Sequence, residues 1–318
     1  MFCTIVNMKK MIAVAGIIKN SKQQILIAKR QEHQFMAGYW ELPGGKVKIG
    51  EGESSLDAII REMYEELGIK VAKAKLRLNI FYSYPDRVLD IVIFEIIKYS
   101  NTPYSKEGQE ISWVDKNKLN NYKLLPTMDS IINTLNLPDI IWITPEINEN
   151  YSHKQLLLDL EQKLIKDIKL IQLRTKKNIS SQLINKAYKL CKKYNANLIL
   201  NNLSKDFNNI TTDGLHLTSA ELMSLEKRPI ALNKILAAAV HNIDELKKAH
   251  KIQLDFVLLS AIKKTTSHKN IKPIGWDRAK KLIKKAKMPV YLLGGMSRDD
   301  LKKAKKYNAQ GIAGISKI

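Results

Sequence analysis

Cysteine is scarce in this chain of 318 residues, in which only Cys3 and Cys191 occur. Two thiols this far apart do not make the disulfide framework of a small secreted domain, and they do not have the spacing of a cysteine metal site. Low cysteine usage is typical of a reducing compartment. We therefore predict a cytoplasmic protein.

Long apolar runs are also lacking, and none approaches the about 20 residues that a transmembrane helix needs. The segment MKKMIAVAGII (residues 8–18) has two lysines before a short apolar stretch, which is a feature of signal peptides. The strand-like segment KNSKQQILIAKR follows it, so we interpret the two as a hairpin whose first strand is buried. We predict no membrane partner and leave open whether Met1 or Met8 is the true start.

Acidic residues are few beside basic ones: 53 Lys and Arg face 31 Asp and Glu, a net charge of +22. Residues 1–136 hold 19 basic and 15 acidic residues (+4), and the remainder holds 34 and 16 (+18). A basic surface can attract nucleic acids or phosphorylated ligands. These lysines, however, are spread along helix-like segments with few aromatic residues between them. We interpret them as solvated faces and expect no direct nucleic-acid binding.

The pattern of the chain changes near residue 136. Before it, strands and helices do not alternate simply, which favours an α+β or sandwich domain over residues 1–136. After the linker NLPD (residues 136–139), eight apolar runs mostly alternate with helix-like segments. Such alternation predicts a parallel sheet buried on both faces, and eight strands predict an α/β TIM barrel over residues 137–318. The sequence ends just after the eighth run, so we expect the barrel's usual last helix to be missing.

Three glutamates follow a glycine-rich loop in the first part. Glu62, Glu65 and Glu66 are spaced i, i+3 and i+4, so they share one helix face and repel one another. Magnesium takes such carboxylates together with substrate phosphates. Gly44 allows a sharp turn that brings a carbonyl close to the metal, and Gly68 is placed to end the helix in a left-handed conformation. A charged, solvated helix face is the alternative.

The whole stretch resembles the Nudix box. Glu53, seven residues, and then REMYEELGI (residues 61–69) match that half of the motif at every fixed position. The loop departs from it, because seven residues rather than five separate Gly45 from Glu53. Either the loop carries a two-residue insertion, or Glu51 keeps the loop spacing and the start of the helix is extended.

The segments AKRQEHQFMAGYWELPGGK, YPDR and KEGQEISWV extend the resemblance to the MutT branch of Nudix hydrolases. The resemblance implies an α+β Nudix sandwich and magnesium- or manganese-dependent hydrolysis of 8-oxo-dGTP to 8-oxo-dGMP and pyrophosphate. That activity protects DNA replication from errors by cleaning the nucleotide pool, a form of DNA repair. The implied metal ligands are Gly44, Glu62, Glu65, Glu66 and Glu107.

The resemblance also implies catalytic and nucleotide-binding roles. Glu62 is our first choice for the general base, with Glu107 as the rival, and Arg61 orients carboxylates. The implied nucleotide-binding residues are Arg30, Phe35, Glu41, Leu42, Pro43, Gly44, Lys46 and Met128. Met128 stands where this branch carries an asparagine that recognises the purine, so a broader nucleotide diphosphatase is the alternative.

The second part resembles thiamine-phosphate synthase, a TIM barrel, through LIQLRTK, DGLHL, LLGGM and GIAGIS. The resemblance implies that the barrel binds a phosphorylated small molecule through Gln172, Arg174, Lys176, Gly294, Gly295, Gly314 and Ser316. The family's Asn-Asp pair is Asn201 and Asn202 here, and of its acidic segment only Glu221 is left. A packed barrel with surviving turn glycines is the alternative.

Two classes of function therefore compete. The first is a nucleotide-pool enzyme with an accessory barrel. The second is a regulatory protein that senses a phosphorylated metabolite through a degenerate or weakly active thiamine-phosphate synthase barrel. The intact glutamate cluster favours the first, because a non-catalytic protein has no need of it. His216 and His241, at strand ends in the barrel, are interpreted as packing residues.

Overall fold

The computed structural model describes residues 9–83, 87–174, 179–201, 211–264 and 272–318. The chain divides into two compact units, Met1–Leu135 and Asn136–Ile318, and each is described by itself. The domain boundary that we predicted after residue 136 stays a prediction. In the described part of the chain, no helix combines the length and the apolar character that crossing a membrane requires.

The first unit is an α+β sandwich. Its strands are β1 (Lys9–Ile17), β2 (Ile25–Lys29), β3 (Trp40–Glu41), β4 (Gly44–Lys46), β5 (Lys70–Ser83), β6 (Arg87–Ser100) and β7 (Ile111–Val114). Its α-helices are α1 (Ser55–Leu67) and α2 (Met128–Leu135). One sheet has the order β4-β1-β6-β5 and the other has the order β3-β2-β7.

The predicted hairpin of the first two strands is present only near its turn. An antiparallel bridge joins Lys19 to Ile25, and the Leu26 N–H donates to the Ile18 carbonyl at 3.1 Å, but β1 and β2 lie in different sheets. The reason is that both hydrogen-bonding edges of β1 are already occupied. It pairs with β4 in antiparallel fashion and with β6 in parallel along its whole length. On its other edge, β6 pairs with β5 in antiparallel fashion.

Helix α1 carries the acidic stretch of the first unit. The Ser54 hydroxyl caps its start by accepting from the Asp57 N–H, and Gly68 ends it with φ 67°, as predicted. Its apolar face packs on the four-stranded sheet through Ala58, Ile59, Met63 and Leu67, all fully buried. This packing fixes the orientation of the opposite, acidic face.

The second unit is a closed barrel of eight parallel strands, as the alternating apolar runs predicted. The strands are β8 (Ile140–Ile143), β9 (Leu170–Leu173), β10 (Asn197–Asn201), β11 (Gly214–Leu217), β12 (Ile235–Val240), β13 (Phe256–Leu259), β14 (Val290–Leu293) and β15 (Gly311–Gly314). The helices are α3 (His153–Ile165), α4 (Ser181–Lys193), α5 (Ser219–Ser224), α6 (Ile243–Lys251), α7 (Gly275–Lys285) and α8 (Leu301–Lys306). Residues 315–318, after β15, form no helix.

The barrel interior is apolar over most of its depth. Its core includes Ile141, Leu170, Ile199, Phe256 and Tyr291. Side chains alternate along a strand, so Gln172 and Asn201 face inward two residues after Leu170 and Ile199. Polar side chains therefore enter the interior at the carboxyl ends of β9 and β10, the end at which TIM-barrel enzymes place their sites.

Candidate active site

Two glycines of β4 bring the backbone against the acidic face of α1. A Cβ on Gly45 would lie 2.3 Å from the Glu62 Oε1 atom, and one on Gly44 would lie 2.1 Å from the Val14 carbonyl oxygen. Any larger residue would displace the carboxylate or the paired strand. The glycines therefore let the Glu62 carboxylate pack directly on the main chain of the loop.

Glu66 is held by the same loop. Its Oε2 atom accepts from the Gly44 N–H at 2.9 Å. Burial, reinforced by the nearby carboxylates of Glu62, Glu107 and Glu41, raises the pKa of Glu66 to about 8. Burial likewise raises the pKa of Glu62, despite its contact with Arg61. Burial and the neighbouring carboxylates thus make the ionised forms of Glu62 and Glu66 unfavourable when no cation is bound.

Arg61 forms ion pairs with three members of the acidic cluster, which comprises Glu53, Glu62, Glu65 and Glu66. Its guanidinium donates to Glu53 through Nε at 2.7 Å and through Nη2 at 3.0 Å. It also donates through Nη1 to Glu62 and to Glu65, at 2.7 Å each. The hydrogen bonds from Arg61 and from the Lys48 N–H lower the pKa of Glu53 to about 2. Arg61 thereby ties the loop to the helix.

These contacts decide between the two explanations of the seven-residue spacing between Gly45 and Glu53. Glu53, not Glu51, meets Arg61, and α1 begins at Ser55 just after it. Glu51 lies in an exposed 3₁₀ turn, Ile49–Glu51. The two additional residues are therefore accommodated in the loop and leave the helix unchanged.

Glu107 lies on the loop that joins β6 to β7. Its carbonyl accepts from the Gln31 side chain at 2.8 Å, and its N–H donates to the Gln109 side chain at 3.2 Å. Gln109 in turn donates to the Glu66 carbonyl at 3.1 Å. The exposed Glu107 side chain is thus carried on a loop that is fastened to the last turn of α1.

A cavity of about 240 Å³ lies beside the glycine loop. Seven of the predicted nucleotide-binding residues line it, namely Arg30, Phe35, Glu41, Leu42, Gly44, Lys46 and Met128. The eighth, Pro43, is buried without lining the cavity, and its carbonyl accepts from the Gly16 N–H at 2.8 Å. Sequence reasoning missed the apolar walls, which are the β1 residues Met11, Ala13 and Ala15 and the β6 residues Leu89, Ile91 and Ile93.

An ion pair lies in the cavity wall. Arg30 donates from Nη1 to the Glu41 carboxylate at 2.5 Å and from Nε to the Phe35 carbonyl at 2.6 Å. Burial raises the pKa of Glu41 even though Arg30 opposes the shift. The Phe35 side chain is 56% exposed and lines the cavity.

The predicted barrel residues follow the carboxyl ends of three strands. Arg174 follows β9, and its N–H donates to the buried Thr144 hydroxyl at 2.9 Å. Gly294 and Gly295 follow β14 with φ values of 100° and 66°. A Cβ on either would lie within 2.9 Å of the chain that follows β13. Gly314 ends β15 and Ser316 follows it, whereas Lys176 lies outside the described residues.

One histidine that we interpreted from the sequence as a packing residue has the surroundings of a ligand site. His216 faces into the barrel, and its Nδ1 lies 3.2 Å from the Asn201 Oδ1. Burial lowers its pKa to about 3, so the ring is neutral, and its Nε2 has no hydrogen-bond partner among the described residues. The Gln172 Oε1, equally buried, also has none. Buried polar atoms without partners favour a ligand site over simple packing.

Two family models match the chain. A NUDIX domain model matches residues 14–134, and a thiamine monophosphate synthase model matches residues 140–318. The chain joins a Nudix domain to a thiamine monophosphate synthase domain. Both predicted family resemblances are thereby confirmed.

Each domain matches related proteins over nearly the full length of those proteins. The 8-oxo-dGTP diphosphatase of Escherichia coli strain K12 is 33% identical over 125 residues, which are 39% of this chain and 95% of that protein. Putative thiamine-phosphate synthase 2 of Aquifex aeolicus is 34% identical over 187 residues, which are 57% of this chain and 98% of that protein. A solved MutT structure, from work on the Aliivibrio salmonicida and Vibrio cholerae proteins, is 34% identical with a TM-score of 0.35 and covers 40% of this chain and 97% of its own. The Nudix domain is a hydrolase that acts on phosphoric anhydrides.

The donor set of the Nudix domain fits a hard divalent cation. Among the described residues, no three His, Cys, Asp or Glu side chains converge on one point. In this structure Arg61 bonds to Glu62 and Glu65, and the Gly44 N–H bonds to Glu66. All the candidate donors are nevertheless oxygens. The raised pKa values of Glu62 and Glu66 show that their ionised forms are unfavourable here, and a bound cation would stabilise those forms.

Glu221 is the residue that remains of the synthase family's acidic segment, and in this structure it caps a helix. Glu221 forms a capping box at the start of α5, where its carboxylate accepts from the Thr218 N–H at 2.7 Å and from the Thr218 hydroxyl at 2.8 Å. Asn202 lies outside the described residues. A carboxylate engaged in a helix cap is not arranged as a metal ligand.

Proposed function

We propose that the Nudix domain is a magnesium-dependent nucleoside triphosphate pyrophosphohydrolase. Its substrate is 8-oxo-dGTP, and its products are 8-oxo-dGMP and pyrophosphate. The contact of the α1 carboxylates with the glycine loop, at the edge of the cavity, is the observation that carries the proposal. The physiological role is nucleotide-pool sanitation in the cytoplasm, a location that the scarcity of cysteine supports.

The metal ligands would be the Gly44 carbonyl and the side chains of Glu62, Glu65, Glu66 and Glu107. Magnesium, for which manganese can substitute, would supply charge neutralisation at the phosphates. Arg61 holds Glu62 and Glu65 in place through its forked hydrogen bonds. Because Arg61 is also anchored to Glu53, it fixes the carboxylates relative to the loop.

Glu62 acts as the general base and takes a proton from the attacking water, with Glu107 as the rival. Burial raises the pKa of Glu62, which makes its carboxylate a stronger base. The water oxygen bonds to the inner phosphorus, and the bond from that phosphorus to the bridging oxygen breaks. Pyrophosphate leaves with that oxygen.

The cavity holds the nucleoside. Its apolar walls on β1 and β6 suit a planar base, and the exposed Phe35 ring lies at its edge. Arg30, already directed by Glu41, contacts the triphosphate or the sugar. Lys46, exposed on the glycine loop, adds a positive charge on the side of the phosphates.

Hydrolysis in ¹⁸O-labelled water tests the position of attack. We expect the label in the nucleoside monophosphate and none in pyrophosphate, because the inner phosphorus accepts the water oxygen. Label in pyrophosphate, or release of inorganic phosphate as the first product, would contradict the proposed chemistry.

A broader nucleotide diphosphatase is the alternative, and Met128 is the observation that favours it. Met128 lines the cavity and is 1% exposed, yet a thioether cannot make paired hydrogen bonds to a purine. We expect Met128→Asn to raise the preference for 8-oxo-dGTP over dGTP about tenfold. The measurement is kcat/KM for both nucleotides in both proteins, with Met128→Leu as the apolar control. An unchanged preference in the asparagine variant would show that residue 128 does not recognise the base.

For the synthase domain we propose binding of a phosphorylated small molecule with little or no synthase activity. The glycines after β14 and the end of β15 offer backbone N–H groups for one phosphate, and Arg174 and Lys176 add positive charge. Gln172 faces the same end of the barrel, and its buried Oε1 has no hydrogen-bond partner in the part of the chain that the structure describes. The metal site for a diphosphate is missing its carboxylates, because Glu221 caps α5 and an asparagine, Asn202, replaces the expected aspartate.

We expect the full chain carrying Glu66→Gln, which silences diphosphate hydrolysis, to bind thiamine phosphate in calorimetry. We expect the same protein to form almost no thiamine phosphate from the pyrimidine diphosphate and the thiazole phosphate with magnesium. Efficient product formation would contradict the missing metal site. Loss of all phosphate-ligand binding would indicate a purely structural barrel.

A further inference from the structure

The cavity of the Nudix domain offers few polar side chains to a base. Arg30 and Glu41 bond to each other. Gln34 is exposed, and its side-chain oxygen already accepts from the Gln31 N–H at 2.8 Å. Thr127 differs from these, because it lines the cavity and is only 5% exposed. Its side chain, which carries a hydroxyl, is part of a lining that is otherwise mostly apolar.

The position of Thr127 is fixed from both sides. The Leu125 N–H donates to the Trp40 carbonyl at 3.0 Å, which ties the segment to β3. The Met128 N–H donates to the Leu125 carbonyl at 2.9 Å, just before α2 continues the chain. A hydroxyl on such a segment is preorganised and loses little conformational freedom when a ligand binds.

We propose that Thr127 is the residue of the cavity that recognises the nucleobase, while Met128 packs against its face. The proposal rests on the proposed nucleotide hydrolase function. A hydroxyl both donates and accepts, so one side chain can meet a ring nitrogen that carries hydrogen and one that does not. Thr127 can therefore bond to oxidised and to unoxidised purines, so it discriminates between them less strongly than an amide at position 128 would.

Thr127 also precedes α2, where a threonine oxygen commonly accepts from a helix N–H. Such a cap would still leave the hydroxyl hydrogen available to donate to a base. A purely structural role and a recognition role differ in one measurable respect. Loss of a cap weakens the fold for every ligand, whereas loss of recognition affects only ligands that carry a base.

The test is equilibrium binding of dGMP and 8-oxo-dGMP to the full chain, with 2-deoxyribose 5-phosphate as the ligand without a base. We expect Thr127→Val to weaken binding of both monophosphates about five- to tenfold and to leave the sugar phosphate unchanged. Thr127→Ser, which keeps the hydroxyl, is the matched control and should stay within about twofold of the wild type.

Two results would overturn the proposal. One is equal affinity of the valine variant and the wild type for both monophosphates. The other is an equal loss for the sugar phosphate, which would indicate a structural role. Because binding needs no turnover, a chain that binds these nucleotides but does not hydrolyse triphosphates would contradict the proposed function and not the role of Thr127.

Discussion

Glu62→Gln and Glu66→Gln should each lower turnover by about two to three orders of magnitude while the protein stays folded. Each change removes one anionic oxygen from the donor set and leaves the side-chain shape almost intact. The measurement is kcat at saturating magnesium, with circular dichroism to verify the fold. Glu110→Gln is the matched control, because Glu110 is exposed and its carboxylate pairs with Lys29.

Although Glu66→Gln should lower turnover, it should raise the stability of the protein in the absence of metal. The folded state holds the Glu66 proton up to a pKa of about 8, while the unfolded chain releases it near the ordinary value of 4.5. The stability of the wild type should therefore fall as pH rises across this window and level off above it. Glutamine does not titrate, so the melting temperature of Glu66→Gln should gain on the wild type between pH 5 and pH 8.

Magnesium should reduce this advantage, because the cation stabilises the ionised wild-type cluster and not the amide. Near-normal turnover of both glutamine variants at saturating magnesium would contradict the assignment of the cluster. A melting-temperature difference that does not depend on pH would contradict the raised pKa of Glu66.

Arg61→Met should lower both turnover and stability. The change removes the cation that contacts three carboxylates, and the side chains of Glu53 and Glu62 are each only 12% exposed. Charges left unpaired in a mostly buried setting destabilise the fold. We expect turnover to fall at least about tenfold and the melting temperature to fall by about 5 °C.

Arg61→Lys separates charge from geometry. Lysine restores the positive charge but not the fork that meets Glu53 through two nitrogens. We expect partial recovery of stability and a weaker apparent affinity for magnesium, measured as the magnesium concentration that gives half-maximal turnover. Wild-type turnover and melting temperature in Arg61→Met would show that the ion pairs do not position the cluster.

The barrel strands were predictable from sequence because each is a short apolar run with helix-like segments around most of them. A strand of a parallel sheet is buried on both faces, so its sequence is a continuous apolar run that is easy to recognise. The end of α1 was predictable for a local reason too, since Gly68 adopts the left-handed conformation that its position suggested.

The partners of β1 were not predictable in the same way. Its parallel pairing with β6 joins Lys9 to Arg87 and Ile17 to Glu95, across most of the first unit. The local sequence pattern indicated a hairpin, but such a pattern carries no information about pairing between strands that are far apart in the sequence. The cavity walls on β6 were missed for the same reason, because Leu89, Ile91 and Ile93 have ordinary apolar positions in the sequence.

His216 illustrates a second limit. Its burial and its neighbour Asn201 come from closure of the barrel, which places β10 beside β11. A lone histidine at a strand end has no sequence signal that separates packing from ligand binding. The unpartnered Nε2 became informative only after the surrounding strands were in place.

The central claim is that the acidic cluster makes the Nudix domain a magnesium-dependent pyrophosphohydrolase of nucleoside triphosphates. The most direct test is turnover of the full chain on 8-oxo-dGTP and a panel of ordinary triphosphates, measured as pyrophosphate, with magnesium and with a chelator. The account predicts pyrophosphate and monophosphate in equal amounts with magnesium, highest kcat/KM for 8-oxo-dGTP, and no turnover with the chelator. Turnover unaffected by the chelator, or no hydrolysis of any triphosphate with magnesium, would contradict it.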